Sequence, residues 1–309
     1  MNRPVYDMVI IGGGPGGYTA ALYAARAGMS ALVLEKLSPG GQMALSHKID
    51  NYPGFPDGID GYSLGELMQE QAHRFGAETE YAEVRSLEPN ASPKAIHTSE
   101  GTFYGKTLVL ATGANPRELG LPGEADLVGR GVAYCASCDG MFYRGKTVAV
   151  VGGGNSAVED ALQLSRIAKN VILIHRRDTL RAEKIAGDAL AKAKNVEFRW
   201  NTQVTELLHD GKLTGLKLRN TVTGEESALN CDGVFVSVGR KPVTDLVRGQ
   251  LTLDESGYVV ADESTATSIP GVYAVGDLRT KRLRQVVTAV ADGAMAVHMA
   301  EGYLAELAP

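Results

Sequence analysis

Two copies of a strand, a glycine-rich turn and a helix constrain this chain more than any other feature. In the first copy, Asp7-Met8-Val9-Ile10-Ile11 is a short apolar run that meets Gly12-Gly13-Gly14-Pro15-Gly16-Gly17, and an Ala-rich stretch of helical period follows through Ala27. In the second, Val148-Ala149-Val150-Val151 meets Gly152-Gly153-Gly154-Asn155-Ser156-Ala157 and then a helix reaching about Ile167. A single Gly-x-Gly-x-x-Gly is weak evidence. A preceding strand, a following helix and a charged residue about 20 positions on make it a dinucleotide fingerprint, and here all three occur twice. The spacing has a mechanical cause. Gly12 and Gly152 permit the tight turn, Gly14 and Gly154 let backbone approach a pyrophosphate, and Gly17 and Ala157 let helix pack on strand. The phosphates then meet free N–H groups at a helix N-terminus, where the macrodipole favours negative charge. Pro15, Asn155 and Ser156 share these loops and join the candidate contacts.

The charge that ends each second strand separates the two copies. Ala31-Leu32-Val33-Leu34 closes on Glu35, which accepts hydrogen bonds from unphosphorylated ribose hydroxyls and repels a 2′-phosphate, so the first copy suits FAD. Val171 to Ile174 closes on His175-Arg176-Arg177, with Arg181 on the expected following helix. Guanidinium forks suit a phosphate dianion, so the second copy suits NADPH.

Further along, Thr107 to Leu110 with Ala111-Thr112-Gly113 reads as a strand running into a glycine turn, then Asn115-Pro116 as a breaker; Gly233 to Gly239 followed by Lys241-Pro242 is its counterpart. Gly271 to Asp277 reads as another strand and turn, and an apolar helical pattern runs from about Gln285 to Leu304. The expected fold is α/β, with two Rossmann-like three-layer domains. The FAD domain (1–116 and 244–309) is discontinuous, and the NADPH domain (117–243) is inserted into it.

The 31 Lys plus Arg against 36 Asp plus Glu give no electrostatic footprint for nucleic acid or an anionic membrane. The N-terminal apolar run is too short for a signal-peptide core or a membrane span. Cysteine usage points to a reducing, cytoplasmic setting. Of three cysteines, two form Cys135-Ala136-Ser137-Cys138, unlike the dispersed framework of a disulfide-stapled secreted protein. A structural zinc would need a second such pair, and Cys231, before an apolar strand, reads as a small buried hydrophobe. No metal site is expected: His47, His73, His97, His209 and His298 have no ligand-like pairing. The pair therefore reads as a redox couple. Asp139 beside it can move protons, because reducing a disulfide consumes two of them; an Asx turn with Gly140 is the alternative role.

Along nearly its whole length the chain resembles the low-molecular-weight thioredoxin reductases. The resemblance rests on the Gly12–Gly17 loop, Gly40-Gly41-Gln42, Ala111-Thr112-Gly113, Cys135-Ala136-Ser137-Cys138-Asp139-Gly140, Gly152–Ala157, His175-Arg176-Arg177-Asp178 with Arg181-Ala182, Gly276-Asp277 and Arg284-Gln285. It implies a homodimer that passes hydride from NADPH to FAD, then electrons to the Cys135–Cys138 disulfide and on to thioredoxin or a thioredoxin-like protein, with Cys138 facing the flavin and Cys135 attacking the partner. It also implies that the inserted domain rotates about the crossings near Asn115-Pro116 and Arg240-Pro242. Gly12, Gly14, Glu35, Gln42, Asn51 and Asp277 correspond to FAD contacts, with Arg284 and Gln285 near the flavin. Gly154, Ser156, His175, Arg176, Arg177 and Arg181 correspond to NADPH contacts; Gly17, Gly41, Gly239 and Gly276 complete the candidate set. The family more often has Thr where this chain has Ser137, and Pro-Asn where it has Lys241-Pro242-Val243. A ferredoxin-dependent relative would lack the cysteine pair, and a dithiol oxidase would lack the NADPH site.

Overall fold

The computed structural model describes residues 3–46 and 48–307; His47 lies outside them. Two compact units emerge, one built from the chain up to Asn115 and from Lys241 onward, the other from Pro116–Arg240.

The first unit opens with β1 (Val5–Ile11), α1 (Pro15–Arg26) and β2 (Ala31–Glu35), then α2 (Gly61–Arg74), β3 (Glu78–Tyr81), β4 (Val84–Glu88), β5 (Lys94–Thr98) and β6 (Gly101–Leu110). The sheet order is β3-β2-β1-β6-β5-β4. β1 lies parallel to β2 and β6, whereas β5 runs antiparallel to β6 and β4. Met8, Ile10, Ala31 and Val33 pack under Tyr18, Ala20, Ala21 and Ala24 of α1, while Val9, Ile11, Leu32 and Leu34 face a second core with Leu87, Ile96 and Phe103. Cover on both faces explains why these strands read as unbroken apolar runs rather than alternating ones.

From β7 (Ala114–Pro116) the chain enters the second unit: β8 (Val132–Ala133), α3 (Ala136–Asp139), β9 (Thr147–Val151), α4 (Asn155–Ser165), β10 (Asn170–Ile174), α5 (Lys184–Ala191) and β11 (Val196–Arg199). An antiparallel sheet of β12 (Thr202–His209), β13 (Leu213–Asn220) and β14 (Glu226–Asn230) follows, then β15 (Gly233–Val236). The parallel sheet has the order β11-β10-β9-β15-β8. One of its faces packs Val148 and Val150 on Ala157, Val158, Ala161 and Leu164 of α4; the other packs Ala149, Val151, Ile172 and Ile174 on Leu207, Leu216 and Leu218 of the antiparallel sheet. Both units are therefore three-layered and Rossmann-like.

The chain returns through β16 (Arg240–Pro242), which pairs with β7. Val243 is bonded within the first unit: its N–H donates to the Gly113 carbonyl at 3.0 Å and its carbonyl accepts from the Thr112 hydroxyl at 2.7 Å. β17 (Val272–Ala274) then joins β6 in parallel, and α6 (Val286–Leu307) closes the unit. α6 crosses α1 closely because both are small there: a Cβ on Gly293 would meet the Gly16 carbonyl oxygen and lie 3.0 Å from the Ala20 nitrogen. Among the described residues no helix is long and apolar enough to cross a membrane.

Candidate active site

The two glycine turns have the same construction. Gly12 has φ +106°, and a Cβ there would lie 2.5 Å from the Ala111 carbonyl oxygen, so this turn excludes any side chain. Gly17 would strike the Gly12 carbonyl in the same way, and Gly152 would meet the Ser237 carbonyl and, at 2.7 Å, the Ala157 methyl. Gly14 and Gly154 are different. A Cβ on either meets nothing within 4 Å, each precedes the first helical residue, and neither helix has a side-chain cap. Each turn is thus an open backbone cradle in front of uncapped helical amides, which fits a pyrophosphate.

Around the first cradle the fold gathers most of the first copy's candidates. Gly40 donates to the Gly13 carbonyl at 2.8 Å, and a Cβ on Gly41 would lie 3.4 Å from the Gly14 Cα. Ala111 closes under Gly17, and its N–H donates to the Ile11 carbonyl at 2.8 Å. Glu35 is clamped by backbone: Oε2 accepts from the Gly13 N–H at 2.6 Å, and Oε1 from Lys36 and Leu37 at 2.8 and 3.0 Å. Gln42 Nε2 donates to Asn115 Oδ1 at 2.9 Å, and Asn51 Nδ2 to Gln285 Oε1 at 3.0 Å, so two candidates far apart in sequence form one pair. Asp277 lies in the single turn Gly276–Leu278. Arg284 lies over the Tyr258 ring at 4.1 Å, and its buried Nε has no hydrogen-bond partner.

The second cradle is backed by His175, whose ring occupies the space a Gly153 side chain would need. Burial, reinforced by the charge of Arg181, holds His175 below the usual imidazole range, and its Nε2 is buried without a partner. Arg176, Arg177 and Arg181 are exposed, and among the described residues no ion pair engages their guanidinium groups. Three uncommitted guanidiniums beside the open loop fit a 2′-phosphate. Arg181 is not on a helix as expected. α5 starts only at Lys184, because the preceding segment is tied to the loop: the Arg181 N–H donates to the Gly153 carbonyl at 2.7 Å and the Glu183 N–H to Asn155 Oδ1 at 2.8 Å. Gly239 lies just beyond β15, its carbonyl accepting from the Arg117 N–H at 2.9 Å.

In the same unit Cys135 and Cys138 are joined as a disulfide, with Cα atoms 5.3 Å apart. Cys135 caps α3: its sulfur accepts from the Cys138 N–H at 3.2 Å and lies 3.3 Å from the Ser137 hydroxyl. Asp139 ends this turn, and its N–H donates to the Cys135 carbonyl at 3.0 Å. Its side chain does not cap the turn that follows, and Gly140 is right-handed there at φ −56°. Cys231 is buried among Leu207, Leu216 and Val234, and burial pushes its thiol up to about 12, so it stays protonated and inert.

The pyridine nucleotide-disulphide oxidoreductase family model matches residues 6–293, almost the whole chain. The chain belongs to this family. Thioredoxin reductase of Listeria monocytogenes is 45% identical over 307 residues, covering 99% of this chain and 96% of that protein. That of Mycolicibacterium smegmatis is 46% identical over 306 residues, covering 99% and 98%. The crystal structure of thioredoxin reductase from Streptococcus pyogenes superposes with a TM-score of 0.91 at 42% identity, covering 99% of this chain and 100% of that one.

Sequence reasoning missed one organising group of this oxidoreductase. Asp292, buried on α6, accepts from the Gly276 N–H at 2.8 Å, from Arg279 at 2.7 and 3.0 Å, and from Lys281 Nζ at 2.7 Å. Burial alone would raise its carboxyl, but the bonds from Arg279 and Lys281 outweigh that and hold it below the usual range. The carboxylate thereby fixes the Gly276-Asp277 turn. An aspartate inside the otherwise apolar run Val290-Ala291-Asp292-Gly293-Ala294 was the available signal.

Proposed function

We propose that this oxidoreductase reduces the disulfide of thioredoxin or a thioredoxin-like protein with electrons from NADPH. The first unit holds FAD on the Gly12–Gly17 cradle with Glu35 at the ribose; the second holds NADPH on the Gly152–Ala157 cradle with Arg176, Arg177 and Arg181 at the 2′-phosphate. When bound, these groups supply a hydride donor and a carrier that delivers an electron pair to a sulfur. The protein's own contribution begins at the cysteines. Reduction breaks the Cys135–Cys138 bond and adds two electrons and two protons. Cys135 then carries the attacking thiolate, stabilised by the Cys138 N–H and the Ser137 hydroxyl. It attacks one sulfur of the partner disulfide and expels the other as a thiolate. Cys138 next attacks Cys135 in that mixed disulfide, which releases the reduced partner and restores the internal bond. Asp139 carries protons to and from the exchanging sulfurs.

The observation that carries this reading is the disulfide in the same unit as an arginine-flanked nucleotide loop. Cysteine usage supports a cytoplasmic setting, and resemblance to its relatives supports a homodimer, which sedimentation would register as twice the chain mass. The test is turnover with oxidised thioredoxin: NADPH consumption should match thiols released, and Cys135→Ser should abolish release while its flavin is still reduced by NADPH. Undiminished thioredoxin reduction by Cys135→Ser would overturn it.

A further inference from the structure

The residues that follow β10 are held from behind by the antiparallel layer. Each backbone carbonyl from His175 to Arg177 accepts a hydrogen bond from it or from the segment leading into it. His175 takes the Thr202 N–H at 2.9 Å, Arg176 the Thr221 hydroxyl at 3.3 Å and Arg177 the Asn201 N–H at 3.0 Å. Two of these donors are backbone amides, which nearly any residue would supply. The middle donor is a side chain, so only there does the tie depend on residue identity.

The segment that supplies the amides is bent to do so. Asn201, between β11 and β12, lies in the left-handed region at φ +50°, which asparagine tolerates better than most residues. Thr221 locks that bend from the β13–β14 turn. Its N–H donates to the Asn201 carbonyl at 2.6 Å, and its hydroxyl is shared between that carbonyl, at 3.1 Å, and the Arg176 carbonyl.

A threonine in a hairpin turn can serve the turn alone. Here the turn closes without it. Asn220 Oδ1 accepts from the Val222 and Thr223 N–H groups at 2.9 and 3.0 Å. The Asn220 N–H donates to the Glu225 carbonyl at 2.8 Å, and the Gly224 N–H to the Asn220 carbonyl at 2.9 Å. Thr221 instead directs both of its donors out of the hairpin, to Asn201 and to the arginine-bearing segment.

Resting on the assignment of the second cradle to NADPH, we infer that Thr221 is a positioning residue for nucleotide choice. Its hydroxyl fixes the Arg176 backbone, so the Arg176 and Arg177 guanidiniums reach a 2′-phosphate from a preset origin and less ordering is left to binding. It acts through the arginines and not on the nucleotide.

The test is calorimetric titration of the FAD-loaded protein with adenosine 2′,5′-bisphosphate and with 5′-AMP, which differ only in the 2′-phosphate. No turnover is needed. Thr221→Val keeps the side chain's shape without its donor and should cut the preference for the bisphosphate about threefold to fivefold, the worth of one neutral hydrogen bond. Thr221→Ser keeps the hydroxyl and should stay within about twofold of wild type. An undiminished preference in folded Thr221→Val, or a loss in Thr221→Ser as large as in Thr221→Val, would overturn the inference. Should Thr221→Val not fold, Thr221→Ala takes its place under the same criteria. Wild-type protein that binds both probes equally would refute the NADPH assignment instead, and is seen before any variant is made.

Discussion

The two glycine cradles are nearly identical in backbone and opposite in charge. Each has a turn that no side chain fits, an open second glycine and an uncapped helix start. Yet one is flanked by Glu35, bonded to three backbone N–H groups, and the other by three exposed guanidiniums with no ionic partner among the described residues. In the proposed function the shared part holds the pyrophosphate, and the side chains where the second strand ends choose between nucleotides. On that proposal a fold is duplicated without duplicating its ligand, because the selecting residues lie outside the turn that defines the motif.

The comparison breaks most completely at a turn. Gly12→Ala places a methyl 2.5 Å from a carbonyl oxygen at φ +106°, so the protein should purify without flavin colour and lose activity by at least about a hundredfold. Retained colour, checked by the visible spectrum, would show that the first turn tolerates what its geometry forbids. Removing guanidiniums from the second cradle sharpens the contrast. Arg176→Ala with Arg177→Ala should lower kcat/KM for NADPH by about tenfold to a hundredfold per arginine, at about 1.5–3 kcal/mol for each charged hydrogen bond, and leave NADH nearly unchanged. Equal losses for both nucleotides, in steady-state assays, would remove the 2′-phosphate from the account.

Stability separates the units next. Asp292→Ala strands Arg279 and Lys281 in the first unit and should cost about 3–5 kcal/mol in denaturant unfolding. The wild-type protein should show the same bond through pH. A carboxyl held below its unfolded value stabilises the fold above that value, about 3.9, and loses the contribution as pH falls through the folded value, so the first unit should weaken below about pH 4. Asp160 on α4, raised by burial rather than lowered, has the opposite sign: protonation relieves the second unit. Hydrogen exchange resolved by unit against pH checks both. The smallest effect is expected from Glu35→Gln, which keeps the clamp's shape but weakens its charge-assisted bonds and should loosen FAD by about tenfold, roughly 1.4 kcal/mol. Flavin release measured by ultrafiltration would read it.

Local grammar was legible where it is local. Both cradles, the flanking strands, the redox pair and the long final helix, expected from about Gln285 and found from Val286, follow from spacing and composition. Contacts that join distant segments were not. Nothing in the periodicity brings Asn51 to Gln285, and nothing shows that the Arg181 segment folds back on Gly153 and so delays α5 to Lys184. The tie from Asp292 to the Gly276 turn uses one acidic residue inside an apolar run, a signal that sequence reports as an irregularity and that acquires meaning only when its partner is in place. The antiparallel β12–β14 layer was also unread, although Gly211, after Asp210, and Gly224 mark its two hairpin turns with positive φ.

The central claim is that electrons entering from NADPH come to rest on Cys135 and Cys138. Anaerobic titration of the flavin-loaded protein with NADPH, followed by absorbance and by thiol labelling of the quenched samples, tests it directly. The account predicts that a first equivalent of NADPH makes these two cysteines, and not Cys231, newly reactive under native conditions. Flavin bleaching that never yields those thiols would contradict it.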